Sequence, residues 1–238
     1  MERPCLLTEG LAELDLPLPA ASMAGLRRFR ECLLTAPTSC VGLRQGAELE
    51  LKGIVDSLTC LKVLPLAPGE RLVDVGSGAG LPGLPLAIAV PGLRVTLLEA
   101  SAAKSRFLRA VVTELGLAGV DVATARAEVF GRTEERESFD AAVARAVGPL
   151  AVVAEYGLPL VKVGGFLLAM KGPGVHAELA AGSEAARLLG GGSPRAVEMS
   201  LPVLGHRRAL VLIHKLGPTP ARYPRRTGVV AKRPLGGR

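Results

Sequence analysis

The sequence has four cysteines and three histidines in 238 residues, and neither set shows a ligand spacing. Cys5, Cys32, Cys40 and Cys60 all lie in the first quarter, none in a C-x-x-C pair, while His176, His206 and His214 lie far downstream. This excludes a zinc site as the first expectation, and a disulfide framework is not expected in so large an apolar chain. The thiols are read as free in a reducing cytosol, the histidines as structural or surface residues, and no metal is expected. No apolar run reaches the ~18 residues that would span a bilayer. The richest stretches, 81–91 and 147–161, are short and broken by Gly or Pro. Met1-Glu-Arg-Pro lacks the basic and long apolar regions of a secretory signal. A cytoplasmic monomer with no membrane role is expected.

Acidic residues are missing from one region. From Lys215 to Arg238 there are seven Lys or Arg and no Asp or Glu, so this segment carries the whole net charge of +7. A basic stretch with Pro, Gly and Tyr223 beside arginines suits phosphate backbones and base stacking; the alternative is a solvated, poorly ordered terminus. With 49% apolar residues, the rest of the chain has ample material for a core.

Glycine is concentrated in Arg71-Leu-Val-Asp-Val-Gly-Ser-Gly-Ala-Gly-Leu-Pro-Gly83, where an apolar strand breaks into glycines at 76, 78, 80 and 83 and then turns helical. Such a turn lets backbone approach a ligand and presents unpaired N–H groups. Two readings compete. Gly78-Ala-Gly80-Leu-Pro-Gly83, with Glu99 about 20 residues on, matches a dinucleotide fingerprint. Asp74 ahead of the glycines instead places a carboxylate where it would repel a pyrophosphate but suit the ammonium of S-adenosylmethionine.

Before the loop, 11–16, 23–34 and 49–64 read as helices, giving an N-terminal helical subdomain over 1–66. From residue 71 strands and helices alternate, which argues for a parallel sheet. Strands are expected at 72–75, 95–98, 120–125, 139–144 and 166–170, with helices at 101–117, 150–160 and 175–189. Segments 195–203 and 208–215 form an expected hairpin. The domain so defined spans 67–216, followed by the basic tail 217–238. Five βα units closed by a hairpin are the layout of a Rossmann-like methyltransferase, mostly parallel with a terminal antiparallel strand. A dehydrogenase would want a second βαβαβ half, for which too little chain remains.

Ligands in such sheets bind outside the carboxyl ends of the strands. Those ends are Asp74 to Gly80, Glu99, Ala127-Glu128, Arg145 and Lys171. Glu99 is placed for ribose hydroxyls, Asp74 and the glycine loop for the methionine part, and 127–128 for adenine. At the fourth strand end, Ala144-Arg145-Ala146-Val147 lacks the Pro-Pro motif of exocyclic-amine methyltransferases, and no cysteine nucleophile lies beyond residue 60. Guanine N7 needs neither base nor covalent attack, because its lone pair carries no proton at neutral pH.

The segments Asp74 to Ile88, Val95 to Glu99 with Lys104 to Leu108, Arg126-Ala-Glu128, Val143 to Ala146 and Ala169 to Gly172 resemble the RsmG (GidB) family. So do the tail elements Tyr223-Pro-Arg-Arg226 and Lys232-Arg-Pro-Leu235. That family methylates guanine N7 in bacterial small-subunit ribosomal RNA, and the resemblance runs from about residue 41 to the end. It implies S-adenosylmethionine held by Gly76, Leu81, Ala127, Glu128 and Arg145, with Gly78 and Glu99 added from the strand-edge reading. It also implies ribosomal RNA or the small subunit on the basic surface, for which Lys171, Arg222, Tyr223, Arg225 and Arg226 are the candidate contacts. No general base is implied. One region departs: where the family carries Asn-Leu-Thr and a histidine three residues before Asp-Ser-Leu, this chain has Ser39-Cys40-Val41 and Gly53. A methyltransferase of another acceptor and a non-catalytic ribosome-binding relative remain the alternatives.

Overall fold

The computed structural model describes residues 6–36 and 46–237. Cys5, Cys40, Ser39-Cys40-Val41 and Arg238 lie outside the described residues. Seven strands form one sheet in the order β3-β2-β1-β4-β5-β7-β6. They are β1 Arg71–Val75, β2 Arg94–Glu99, β3 Val120–Thr124, β4 Phe139–Arg145, β5 Val161–Lys171, β6 Arg195–Ser200 and β7 Arg207–His214. β1 to β5 run parallel, while β7 is antiparallel to both β5 and β6. The mostly parallel Rossmann-like sheet with a terminal antiparallel hairpin is therefore present. The chain moves outward from β1 to β3 and then crosses to β4 on the other side. This puts the topological switch point between β1 and β4, where a ligand crevice opens.

Side-chain alternation divides the core into two layers. Leu72, Leu97 and Val143 face one cluster with Leu26, Phe29, Ile54 and Leu58 from the N-terminal helices. Val73, Leu98 and Ala144 face the other, with Leu150, Ala154, Ala185 and Tyr223. Helices Leu6–Glu13 and Ala20–Leu34 thus complete the first face, together with a helical rod over 46–62. Within the rod, Leu49–Val55 is π-wound, a local widening often found at functional sites.

Local chemistry sets the element ends. Helix Ala102–Leu115 starts where Ser101 accepts from the Lys104 amide and stops at Gly116, whose φ of 66° is the left-handed cap. β5 begins five residues earlier than expected. Val163-Gly-Gly165, which precedes the expected strand, is part of it. β4 pairs across it with a register jump between Phe139 and Ala141. The glycines permit that bulge because a Cβ at Gly165 would lie 2.3 Å from the Asp140 carbonyl oxygen. No helix among the described residues is long and apolar enough to cross a membrane.

Candidate active site

The loop after β1 uses positive φ at Gly76 (74°), Gly78 (57°) and Gly80 (90°), conformations open to glycine. The amides of Gly76 and Ser77 donate to the Leu98 carbonyl at 2.8 and 3.1 Å, which ties the loop to the end of β2. Glu99 closes the same corner: Oε2 accepts from the Gly78 amide at 2.9 Å and Oε1 from the Ser101 amide at 2.7 Å. Its carboxylate is nearly buried yet keeps further lone pairs toward the cleft.

Asp74 behaves differently from the sequence expectation. It is completely buried beneath the loop, its Oδ2 accepting from the Gly83 amide at 2.9 Å. Oδ1 has no hydrogen-bond partner among the described residues, and burial pushes the carboxyl up to about 7 against the pull of that amide. The alternation of β1 turns Asp74 into the layer under Gly83, so it braces the loop and does not line the cleft.

Around Glu99 a small cleft of about 120 Å³ opens between the ends of β1, β2 and β3, lined by Gly76, Glu99, Ala127, Glu128, Val147 and Tyr156 among others. A Cβ at Gly76 would come within 3.0 Å of Val147 Cγ2, so the loop must stay bare there. Glu128 is buried and Tyr156 half-buried. Burial and the nearby Glu128 carboxylate raise the Tyr156 phenol. Tyr156 had no sequence signal: it sits in helix Leu150–Gly157, whose apolar pattern reads as core. Gly78 shapes the cleft through Glu99, and Leu81 packs against the first core layer.

Arg145 lies outside this cleft, on the wall of a second pocket. Its guanidinium donates to the carbonyls of Lys52 (2.7 Å) and Gly53 (3.2 Å) in the π-wound segment and approaches Asp56 at 3.7 Å. Asp56, 3% exposed, also accepts from Arg208 Nε at 3.0 Å. Burial raises the Asp56 carboxyl while the two arginines pull it down. This pocket has a volume of about 410 Å³ and is lined by Asp56, Arg145, Val147, Lys171, Glu178 and Arg208 among others. Lys171 Nζ donates to the Gly148 carbonyl at 2.8 Å and meets Glu178 Oε2 at 2.7 Å. Ala146, on the rim, has φ of 56°, a strained conformation for a residue with a Cβ and one that clusters at functional sites. Val147 lines both cavities, so they adjoin. Asp56, Glu178 and Arg208 were not singled out in the sequence because they come from three distant segments.

The C-terminal segment is docked on the second face, which corrects the picture of a free basic tail. Lys215 is fully buried, held by the Leu158 carbonyl at 2.7 Å and by Glu137 at 3.1 Å. Tyr223 is 7% exposed within the core layer. Arg225 donates to the fully buried Glu155 through Nε (2.8 Å) and Nη2 (2.6 Å). Arg132 and Arg136 donate to carbonyls of 219–224 and pin the segment down. Tyr223 therefore offers no free face for a base, and the Arg225 head is spent on Glu155. Arg222, over the Tyr223 ring at 5.1 Å, and Arg226 remain exposed.

Among solved structures, a MtNAS variant in complex with S-adenosylmethionine aligns with a TM-score of 0.52 at 21% identity, over 87% of this chain and 75% of that one. Precorrin-6y C5,15-methyltransferase from Geobacter metallireducens aligns with a TM-score of 0.52 at 13% identity, over 76% of this chain and 94% of that one. At such identities the likeness concerns the fold alone. Relatives named ribosomal RNA small subunit methyltransferase G are much nearer in sequence. The Pelotomaculum thermopropionicum protein is 49% identical over 189 residues, 79% of each chain. That of Rubrobacter xylanophilus is 45% identical over 222 residues, 92% of this chain and 82% of its own. That of Alkaliphilus oremlandii is 35% identical over 238 residues, 99% of this chain and 100% of its own. The family model described as rRNA small subunit methyltransferase G matches residues 25–204. The chain belongs to the rRNA small subunit methyltransferase G family.

Proposed function

We propose that this protein is an S-adenosylmethionine-dependent methyltransferase acting on N7 of a guanine in small-subunit ribosomal RNA. The observation that carries this reading is the adjacency of two cavities across Val147 at the switch point of the sheet. One is bare and acid-edged, the other carries the basic side chains of Arg145, Lys171 and Arg208 together with Asp56 and Glu178.

The first suits a nucleoside without phosphates. The carboxylates of Glu99 and Glu128 edge it, which would repel a pyrophosphate, and Gly76 leaves the loop open to close contact. Gly76, Gly78, Glu99, Ala127 and Glu128 would hold the cofactor, Glu99 at the ribose and 127–128 at the adenine. Leu81 and Asp74 support the loop from behind. When bound, S-adenosylmethionine supplies an electrophilic methyl group on a sulfonium. Arg145 borders the second cavity, where it holds β4 against the helical rod.

The second cavity would take the acceptor. A guanine N7 lone pair carries no proton to remove, so the protein's task is positioning and charge. Arg145 and Arg208 share Asp56 and Lys171 pairs with Glu178, which leaves this wall one excess positive charge, while Arg222 and Arg226 give an exposed basic surface for the RNA backbone. A monomer working in the cytoplasm on RNA or on the assembled small subunit fits this picture.

The test offers the protein labelled S-adenosylmethionine with naked ribosomal RNA and with small subunits lacking the modification. Label should enter one of them and map to N7 by aniline cleavage. Label in neither, with cofactor binding intact by calorimetry, would leave another acceptor or a non-catalytic ribosome-binding role as the better reading.

A further inference from the structure

Glu178 is half-buried at the wall of the 410 Å³ pocket, and its two carboxylate oxygens are unequally used. Oε2 accepts from the Leu150 amide at 2.5 Å, capping the start of helix Leu150–Gly157, and meets Lys171 Nζ at 2.7 Å. Oε1 has no partner among the described residues. Lys171 Nζ spends its other bond on the Gly148 carbonyl and has one N–H left over. Capping therefore accounts for one oxygen only. What faces the pocket beside it is an acceptor and a donor, held side by side by their own ion pair.

We infer that the Glu178–Lys171 pair reads the Watson–Crick edge of the acceptor base and selects guanine, with Glu178 Oε1 accepting from the N1–H/N2–H₂ fork and Lys171 donating to O6. The inference rests on the guanine-N7 reading and deepens it. Guanine presents acceptor O6 next to donors at N1 and N2, which complements this pair. Adenine presents the reverse order, an N6 donor beside an N1 lone pair that a carboxylate repels. N7 lies on the adjoining Hoogsteen edge, beyond O6, so a base whose N1 and N2 face Glu178 turns N7 away from that carboxylate. The pocket volume leaves room for a purine, and the duplex must release the base for it to enter. Because Oε2 is fixed by a backbone amide and an ammonium, Oε1 is positioned before the base arrives, which lowers the ordering cost of recognition.

The experiment compares ribosomal RNA transcribed with guanosine or partly with inosine, which keeps O6 and N1–H but lacks the N2 amine. N7-methylation is read by aniline cleavage, and S-adenosylhomocysteine binding is followed by calorimetry. The wild-type protein should methylate guanosine at least tenfold better than inosine, the effect of losing a hydrogen bond to a charged acceptor. Glu178→Gln should bind S-adenosylhomocysteine within about twofold of wild type while its guanosine-to-inosine ratio falls toward one. Equal methylation of both RNAs by the wild-type protein overturns the inference without any variant. So does a Glu178→Gln protein that keeps the wild-type ratio. Absence of label in both RNAs instead removes the ribosomal-RNA reading, and this inference with it.

Discussion

Arg225 separates an RNA-binding role from a structural one in a single measurement. Its guanidinium makes three contacts within 3.0 Å to Glu155, and the Arg225 amide makes a fourth at 2.8 Å that survives side-chain removal. Glu155 has no exposure at all, so Arg225→Ala leaves a buried carboxylate with one backbone donor. Breaking one partner of a buried pair costs about 3–5 kcal/mol. The Arg225 side chain is 25% exposed, so water can follow into the vacated space, and the lower end, about 3 kcal/mol, is expected. For a chain of 238 residues each kcal/mol moves the melting point by about 2–4 °C, giving a fall of roughly 6–12 °C. Urea titration should show the midpoint falling with little change in slope. The paired variant Glu155→Gln/Arg225→Met should recover most of the loss, because neither charge is then left buried alone. An Arg225→Ala protein that melts within about 2 °C of wild type and loses RNA affinity would refute the reasoning and return the guanidinium to the RNA.

Four further outcomes are expected. Arg222→Gln/Arg226→Gln removes two exposed charges, so the slope of log affinity for RNA against log salt should flatten by about 1.5 with the melting point unchanged. Gly83→Ala places a Cβ 2.5 Å from Leu97 Cδ2 and 2.7 Å from Asp74 Oδ2, and should cost about 1–3 kcal/mol by urea titration. The raised Asp74 carboxyl holds its proton in the folded state where the unfolded chain has lost it. Cofactor-free protein should therefore lose stability relative to Asp74→Asn as pH rises from about 4 to about 7, and parallel curves would remove the burial argument. Lys215, pushed down to about 8 by burial, has the opposite sign. The unfolded chain binds its proton more tightly, so stability relative to Lys215→Met should rise between pH 8 and about 10.4, as followed by denaturation at stepped pH.

The strand order could not be read from the sequence, but the strands themselves could. Period-two apolar runs and glycines at 76, 78 and 80 are signatures of local backbone, and local backbone is what a linear pattern encodes. The ends of the sheet at Glu99, Ala127-Glu128 and Arg145 followed from the same alternation. A linear pattern does not say which way a strand-end side chain points. Asp74 and Arg145 point away from the cleft around Glu99, Asp74 under Gly83 and Arg145 onto the carbonyls of Lys52 and Gly53. A side chain's direction at a strand end depends on which helix covers that face, and this is set by packing.

The sequence by itself determined the glycine loop, the βα alternation, the absence of a long apolar span and the location of the excess positive charge. Only the tertiary structure decided which of those charges meet water. Lys215 and Arg225 are counted in a basic tail, yet one is buried and the other is paired with Glu155, 70 residues away in sequence. The structure likewise brought Asp56, Glu178 and Arg208 to one pocket and paired Lys171 with Glu178 there. The reason is physical. Composition fixes the number of charges, but their energies depend on solvent exposure and on partners that only the folded chain brings within hydrogen-bonding distance.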